Sequence, residues 1–275
     1  MRCLITGSEG FIGKHLINHL KEKYEIMGFD RNINNENLLN LGAISLAFVK
    51  FNPEIVIHLA SNISNDITLC HDDITSILNL LWACKEKGIK KFIFTSSAAV
   101  YGDSYPKTIP INPYGITKLQ CEQWCKYYSE LGLKTIILRL SNVYGKGGKG
   151  VINQFIEKTK NSERLTINGN GYQIRDFIYI DDVIQVIDQC INSDINNDIL
   201  NVSTNIGSTI WDILKVLYET TSQHIELTFE SEIINEIKIS KLDSSDLIML
   251  KFFDMNEFKS FISLKEGIAK LWNEK

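Results

Sequence analysis

A tyrosine and a lysine four positions apart are the residues of this chain best placed to move a proton. Tyr114 and Lys118 form a Y-x-x-x-K pattern, and a helix would bring both side chains to one face. An ammonium group beside a phenol favours the phenolate, so the pair can act as a general acid and base. Taken alone, the same pattern is also typical of an ordinary surface tyrosine and lysine.

A serine upstream can complete this group. The apolar segment 91–95 is predicted to be a strand, and Ser96 and Ser97 follow it. Open parallel sheets bind their ligands beyond the carboxyl ends of the strands, where a hydroxyl group could hydrogen-bond an oxygen whose charge changes. We therefore expect Ser97, Tyr114 and Lys118 to form a catalytic group that moves a proton while a hydride moves to or from a nicotinamide.

The beginning of the chain carries a glycine-rich turn. The spacing G-x-x-G-x-x-G lies between a predicted strand, 2–6, and a predicted helix, 11–23. Such glycines permit a tight turn, let a pyrophosphate approach the main chain and let the helix pack against the strand. The helix N-terminus adds free N–H groups and a positive dipole end. The cofactor contacts predicted here are Gly7, Gly10, Phe11, Ile12 and Gly13.

An acidic residue follows the second predicted strand, 25–29. Asp30 could accept hydrogen bonds from the hydroxyl groups of an adenosine ribose, which favours NAD. Arg31 could instead pair with a 2′-phosphate, so NADP stays possible.

Strand and helix signals alternate through the first half of the chain, which is typical of a parallel sheet covered on both faces. Further strands are predicted at 55–59 and 135–140, and helices at 74–87 and 114–131. The later segments read as helices at 152–160, 181–192, 210–219 and 264–272, with small strands at 165–167 and 225–229. We expect an α/β Rossmann-type doubly wound parallel sheet with a smaller C-terminal substrate-binding lobe. The dinucleotide-binding domain would comprise 1–145 and parts of 175–205, and the lobe 146–174 and 206–275.

The composition is that of an ordinary globular protein. The chain has 275 residues, of which 44% are hydrophobic and 23% charged, with a net charge of −4. This slight acidity argues against nucleic acid as a partner, and no apolar run is long enough for a membrane span. Six scattered cysteines and the lack of a signal peptide predict a cytoplasmic protein. No metal site is expected, because Cys121 and Cys125 lack a second ligand pair nearby.

Eight segments together resemble the extended short-chain dehydrogenase/reductase superfamily, and within it the NAD-dependent nucleotide-sugar epimerase/dehydratase family. They are TGSEGFIG (6–13), HLAS (58–61), SSAAVYG (96–102), PYGITK (113–118), LRLSNVYG (138–145), RDFIYIDD (175–182), NVSTNIGSTI (201–210) and SLKEGI (263–268). They occur in the family's order and cover nearly the whole chain.

The resemblance implies roles for individual residues. Ser97, Tyr114 and Lys118 match the catalytic triad, and Lys118 would also hold the nicotinamide ribose. The loop beside the cofactor would be formed by His58, Leu59, Ala60 and Ser61. Asn142 and Arg175 match the residues that reach the substrate's diphosphate, a role that suits a guanidinium fork. Their simpler interpretations are a turn residue for Asn142 and a local ion pair between Arg175 and Asp176.

Departures from the family pattern are also informative. The family's 4,6-dehydratases usually carry Thr-Asp-Glu where this chain has Ser97-Ala98-Ala99, so the acid and base for water elimination are missing. The stretch between Asp30 and Pro53 is short, and Asn32-Ile33 could replace the usual Gly-Asp pair near the adenine. Asp73 stands where an asparagine usually opens the next helix.

Two activities remain open from the sequence. One is an epimerase of a nucleotide-diphosphate sugar, acting at C4 through a transient 4-keto sugar. The SSAAVYG segment and Asp30 favour it. The other is an NAD(P)H-dependent reductase of a nucleotide-linked 4-keto-6-deoxy sugar, favoured by the short chain. A non-catalytic NAD(P) sensor is a third possibility, although such proteins often lose the tyrosine or the lysine. The resemblance also implies a homodimer in which helices 74–87 and 114–131 pair, with Trp82, Cys84, Trp124 and Tyr128 on the apolar faces.

Overall fold

The computed structural model describes residues 1–33, 36–232, 236–242 and 261–274. In chain order the elements are β1 (Arg2–Thr6), α1 (Phe11–Leu20), β2 (Glu25–Phe29), α2 (Leu41–Phe51), β3 (Ile55–His58), α3 (Ile67–Glu86), β4 (Lys91–Ser97), α4 (Pro113–Glu130), β5 (Thr135–Leu140), β6 (Asn142–Tyr144), α5 (Val151–Lys160), β7 (Leu165–Asn168), β8 (Ile174–Tyr179), α6 (Ile180–Asn192), β9 (Asp198–Val202), β10 (Gly207–Ser208), α7 (Ile210–Thr221), β11 (Leu227–Glu230), β12 (Ile239–Ser240) and α8 (Leu264–Asn273). A 3₁₀ turn, Ala98–Tyr101, follows β4.

Six strands form one parallel sheet in the order β2-β1-β3-β4-β5-β9. Their sequences are short runs of β-branched and aromatic residues, and β3 and β5 are buried along their whole length. A strand of this kind needs cover on both faces. The Rossmann-type parallel sheet predicted from the sequence is confirmed.

Helices cover both faces of this sheet. One core cluster joins α1 and α6 to the sheet, with Leu16 and Val183 among its buried residues. The other joins α2, α3 and α4 to the opposite face and includes Ile44, Ile77 and Cys121. The two layers leave the carboxyl edge of the sheet to the loops, which include the glycine turn after β1, Asp30 after β2 and the loop after β3.

Two helix predictions were wrong. The helix α2 was not predicted, because its sequence LGAISLAFVKF is apolar on nearly every side and shows no clear polar face. Its start is nevertheless well defined, since the Asn40 side chain accepts hydrogen bonds from the N–H groups of Gly42 and Ala43. Helix α3 begins at Ile67 instead of residue 74, behind the capping side chain of Asp66. Asp73 therefore lies inside α3 and does not open it.

The remaining strands form two small sheets. Strand β8 pairs with β6, β10 and β12, and β7 pairs with β11. Neither β8 nor β9 was predicted as a strand, because alternation is weak in that part of the chain. The domain boundaries given above stay a prediction. Within the described residues, no helix has the length and apolar character needed to cross a membrane.

Candidate functional site

The glycine turn joins β1 to α1 and closes on itself. Gly7 has a φ of +70°, a backbone region that glycine enters at no steric cost. Its N–H donates to Phe29 O at 3.0 Å, and its carbonyl oxygen accepts from Gly10 N–H at 3.0 Å. Gly10 caps α1 without any side-chain hydrogen bond, so the first N–H groups of the helix are available to an anion.

At two of the three positions, neighbouring main-chain atoms lie too close for any residue other than glycine. A Cβ atom at Gly13 would lie 2.2 Å from Gly7 O, and one at Gly7 would lie 2.6 Å from Ala60 N. The turn is therefore packed against the loop that follows β3. A cleft of about 520 Å³ opens beside it and is lined by Gly7, Gly10, Asp30 and Leu59, among others. A turn and cleft of this size fit a dinucleotide, with the main chain facing the phosphates.

Asp30 lies at the end of β2 in this cleft, as predicted. Its carboxylate accepts hydrogen bonds from the N–H groups of Glu9, at 3.1 Å, and Asn32, at 3.0 Å. Arg31 and Asn32 line the same cleft, together with the segment 36–39. Asn32, one of the two residues that the sequence suggested for the adenine region, thus lines the cleft, and residues 36–39 line it as well. An acid in an asparagine-rich stretch was the only sign of this in the sequence.

The loop after β3 is held on both sides. Ala60 N–H points to Thr6 Oγ1 at 3.5 Å, and Leu59 N–H donates to Thr6 O at 3.2 Å. Ser61 Oγ donates to the Asp73 carboxylate at 2.6 Å. Asn62 adds its main-chain N–H and its side-chain amide to the same carboxylate. Asp73 therefore orders Ser61 and Asn62 along the cleft from within α3.

His58 lies buried beneath the turn. Its Nδ1 is 2.7 Å from Thr6 Oγ1, and its ring stacks on Phe94. Burial, with the charge of Lys118 as a smaller contribution, lowers the pKa of His58 to about 3. The imidazole is therefore neutral near neutral pH and links β1 to β3 without a charge.

Tyr114 and Lys118 share one face of α4. The Lys118 ammonium lies 5.9 Å from the centre of the Tyr114 ring and 4.8 Å from that of Phe94. It donates a hydrogen bond of 2.9 Å to Thr95 O at the end of β4. Lys118 is buried, whereas Tyr114 is half-buried. The lysine therefore has a fixed position from which it can stabilise negative charge on the phenol.

Ser97 ends β4 and begins the 3₁₀ turn. Its Oγ accepts the N–H of Ala99 at 3.2 Å, which leaves its hydroxyl hydrogen free to donate. A Cβ atom at Gly115 would lie 2.5 Å from Ala99 O, so α4 packs directly on this turn. This contact holds Ser97 and the first residues of α4 in a fixed relation.

A buried ion pair lies one turn beyond Lys118 on α4. The carboxylate of Glu122, which is 0% exposed, accepts from Arg139 Nε at 2.9 Å and from Nη2 at 2.5 Å. Ser96 Oγ donates to the same carboxylate at 2.5 Å. Arg139 Nη1 donates to the hydroxyl oxygen of Tyr101. The network joins α4, β4, β5 and the 3₁₀ turn. It was not predicted, although an arginine in the apolar run TIILRL was a sign of it.

A second cavity, of about 260 Å³, holds the residues predicted to bind the substrate. Asn142 and Arg175 both line it, with Glu236. Arg175 Nη2 donates to Glu236 Oε1 at 3.1 Å, and Asn142 Nδ2 donates to Asp176 O at 3.1 Å. Asp176 itself binds Thr204, so the local pair between Arg175 and Asp176 does not form. Burial lowers the pKa of Arg175, an effect that the charge of Glu236 opposes.

The strand order places these features along one edge. The cofactor cleft lies beyond β2, β1 and β3, and Asn142 follows β5. Strand β4, which ends in Ser97, lies between β3 and β5. In strand order, the end of β4 therefore lies between the strand that leads to the cleft and the strand that leads to Asn142.

Comparison with known proteins identifies the family. The model of the NAD dependent epimerase/dehydratase family matches residues 3–203. This chain belongs to that family. The predicted resemblance is confirmed, and the protein is an enzyme of the epimerase/dehydratase family.

Individual relatives include both reaction types. An uncharacterized UDP-glucose epimerase, YtcB, of Bacillus subtilis (strain 168) is 32% identical over 225 residues, which cover 68% of this chain and 71% of the relative. A dTDP-D-glucose 4,6-dehydratase of Dictyostelium discoideum is 31% identical over 236 residues, which cover 68% and 54%. The choice between the two reactions therefore rests on the residues of the site.

A solved structure of a related enzyme has a similar fold. UDP-glucuronic acid 4-epimerase from Bacillus cereus, in complex with UDP-glucuronic acid and NAD, superposes with a TM-score of 0.88 at 26% identity. The match covers 99% of this chain and 98% of that one. The similarity thus extends beyond the Rossmann-type sheet to the two smaller sheets.

Proposed function

We propose that this protein is an NAD-dependent nucleotide-sugar epimerase that acts at C4 through a transient 4-keto sugar. The observation that carries the proposal is the position of Ser97, Tyr114 and Lys118. Ser97 ends β4, and Lys118 on α4 donates to Thr95 O of the same strand. In the sheet, β4 lies between β3, which leads to the cofactor cleft, and β5, which leads to Asn142. The family relationship and the epimerase among its relatives support the same conclusion.

The cofactor would be held by the residues around the first cleft. The first turn of α1, with Phe11, Ile12 and Gly13, would offer its N–H groups to the diphosphate. Leu59, Ala60 and Ser61 line the cleft beside the glycine turn. Asp30 would bind the adenosine ribose. When bound, the nicotinamide supplies the hydride acceptor for oxidation at C4 and the donor for reduction at the opposite face.

The chain's own groups move the proton. Tyr114, as phenolate, takes the proton of the sugar's 4-hydroxyl group as the C4–H hydride leaves, and returns it when the ketone is reduced. Lys118 stabilises the phenolate from its fixed place on Thr95 O. Ser97 donates a hydrogen bond to the sugar's O4, which carries the developing charge. Arg175 and Asn142 would hold the diphosphate of the substrate.

Water elimination is not part of the proposed reaction. It requires an acid and a base near C5 and C6, and the positions after Ser97 hold the methyl groups of Ala98 and Ala99. Both alanines are buried, at 5% and 9% exposure. Neither can donate or accept a proton, so we assign this chain to the epimerases of its family despite its dehydratase relatives.

Incubation with a panel of UDP- and dTDP-sugars tests the proposal. Interconversion of C4 epimers without net consumption of cofactor supports it. Stoichiometric oxidation of NADH or NADPH by a 4-keto sugar would instead identify the reductase considered above and refute the epimerase. A 4-keto-6-deoxy product from a UDP- or dTDP-hexose would refute the exclusion of dehydration.

Replacement of the tyrosine tests the mechanism. We expect Tyr114→Phe to lower kcat by about 10²- to 10⁴-fold, because proton transfer is lost, while NAD binding stays within about threefold. Tyr218→Phe, an exposed tyrosine on α7, is the matched control and should keep its activity. Turnover of Tyr114→Phe close to that of the parent protein would exclude Tyr114 as the acid and base.

We further propose a homodimer through α3 and α4, which pack side by side. Trp82, Trp124 and Tyr127 expose 47%, 38% and 50% of their surface on these helices, and exposed aromatic side chains are enriched at protein–protein interfaces. Cys84 was named with them from the sequence, but it is 0% exposed and belongs to the core. Tyr128 is half-buried and packs against the core cluster of this face.

Sedimentation velocity at micromolar concentration measures this association. Trp124→Glu should convert a dimer to a monomer, whereas Tyr218→Glu on the distant helix α7 should not. A monomeric parent protein would contradict the proposal.

A further inference from the structure

A short segment of the chain, residues 236–242, runs from the second cavity to the 3₁₀ turn that follows β4. At its start, Glu236 lines the cavity and accepts a hydrogen bond of 3.1 Å from Arg175 Nη2. At its end, Leu242 is buried in a cluster with Val100 of the 3₁₀ turn. The segment therefore joins the wall of the cavity to the turn beside the catalytic group.

The carboxylate of Asp103 holds the middle of this segment. Its Oδ1 accepts the main-chain N–H groups of Lys238, at 2.6 Å, and of Ile239, at 2.8 Å. The carbonyl oxygen of Lys238 accepts the N–H of Ile174 at 2.9 Å, and β12 pairs with β8 over two residues. So short a ladder holds a strand weakly, and hydrogen bonds to a charged acceptor are stronger than neutral ones. Asp103 is therefore the main anchor of the segment on the turn side.

The turn that carries Asp103 is closely packed. Gly102 has a φ of +55°, and a Cβ atom there would lie 2.3 Å from Ile109 O. The N–H of Ser104 donates to Tyr101 O at 3.0 Å. Asp103 therefore has a fixed position relative to the end of β4.

Asp103 also lies close to the cavity. The side chains of Arg175 and Glu236 are each 16% exposed. Burial lowers the pKa of Arg175, and the charges of Glu236 and Asp103 both oppose that effect. Because the anchor and the cavity are near each other, a shift of the main chain at Lys238 would be transmitted to Glu236.

We propose that Asp103 is a positioning residue for substrate binding, which holds segment 236–242 so that Glu236 keeps the Arg175 guanidinium in one orientation. The proposal rests on the proposed function only in taking the ligand of the cavity to be a nucleoside diphosphate. Without the acceptor at Asp103, the segment keeps its short pairing with β8 but loses its anchor on the turn. Arg175 must then be ordered by the ligand itself, which weakens binding and leaves the chemical step unchanged.

Titration calorimetry on the NAD-saturated protein tests the proposal, with UDP and dTDP as probes. Asp103→Ala should raise the Kd of the nucleotide that the parent binds more tightly by about tenfold. Asp103→Asn removes the charge but keeps an acceptor oxygen, so its Kd should stay within about threefold of the parent's. In turnover, Asp103→Ala should raise KM by about the same factor as Kd, while kcat and the affinity for NAD stay within about threefold.

A double variant tests whether Asp103 acts through Glu236. Whatever effect Glu236→Ala has alone, the addition of Asp103→Ala should change the Kd of the nucleotide by less than about threefold, because two residues that act as one unit are not additive. Independent, additive effects would show that Asp103 acts by another route.

Glu266→Ala is the matched control, because Glu266 is an exposed carboxylate that likewise accepts a main-chain N–H, that of Ser263 at 2.9 Å. It lies on α8, of which no described residue lines the cavity, so its removal should lower stability without changing the Kd of the nucleotide. Equal Kd values in Asp103→Ala and Asp103→Asn, an equal rise in Glu266→Ala, or additive effects in the double variant would overturn the inference while leaving the proposed epimerase intact. A parent protein that binds neither nucleotide would overturn both.

Discussion

Removal of the Glu122 carboxylate should destabilise the protein strongly, because it leaves Arg139 charged and buried. Arg139 is 7% exposed and makes two of its hydrogen bonds to Glu122. Burial alone would lower the pKa of Arg139, but the hydrogen bonds and charge of Glu122 raise it above its usual value. The guanidinium group would therefore stay charged during folding and require a partner.

The size of the effect follows from these contacts. Loss of one partner of a buried ion pair costs about 3–5 kcal/mol. Tyr101 keeps its hydrogen bond to Arg139, and the centre of its ring lies 4.8 Å from the guanidinium carbon. We therefore expect a cost near the lower end of this range. Ser96 Oγ also loses its acceptor, which adds about 1 kcal/mol. We expect Glu122→Ala to lower the free energy of unfolding by about 4 kcal/mol, a large part of the 5–15 kcal/mol that is typical of native proteins.

Urea denaturation followed by circular dichroism measures this change. Glu130→Ala, which removes an exposed glutamate from the same helix, should stay within about 0.5 kcal/mol of the parent. The double variant Glu122→Leu with Arg139→Met should recover most of the lost stability, because no charge is then left buried. A Glu122→Ala protein within about 1 kcal/mol of the parent, or a double variant no more stable than the single one, would refute the reasoning.

Two further predictions concern the cofactor end of the site. The free energy of unfolding should decrease by about 1.4 kcal/mol per pH unit as the pH falls from 6.5 to about 3. In this range His58 is protonated in the unfolded chain, where its pKa is about 6.5, but stays neutral in the folded protein, where burial lowers its pKa to about 3. Urea denaturation at several pH values measures this dependence. The free energy of unfolding of His58→Asn should change less steeply with pH than that of the parent, and an equally steep change would show that His58 is not the group responsible. Gly13→Ala should weaken NAD binding by tenfold or more, since its Cβ would lie 2.2 Å from Gly7 O, whereas Gly150→Ala meets nothing within 4 Å. Calorimetry compares the two, and equal affinities would show that the turn tolerates a side chain.

Much of the site could be predicted because its signals are local. The spacing of Gly7, Gly10 and Gly13 reflects contacts within one strand and one helix, and the spacing of Tyr114 and Lys118 reflects one helical turn. The resemblance supplied Arg175 and Asn142, and the structure places both in one cavity.

The missed features depend on contacts between distant segments. The pair of Glu122 and Arg139 joins residues from a helix and a strand, and neither charge alone predicts its partner. Residues 36–39 line the cleft only because residues 30–33 turn back, and no local pattern in an asparagine-rich stretch encodes that path. Helix α2 lacks a polar face, so its sequence does not show the alternation of apolar and polar residues with a helical period that would predict it.

The hydrogen bond from Lys118 to Thr95 O has a consequence for the energetics of turnover. Thr95 Oγ1 in turn donates to His58 O, and the His58 ring binds Thr6 beside the glycine turn. The reactive lysine is thus anchored to main-chain atoms of neighbouring strands before any ligand arrives. The conformational entropy of placing it is lost when the sheet folds, so binding and catalysis need not supply that cost again.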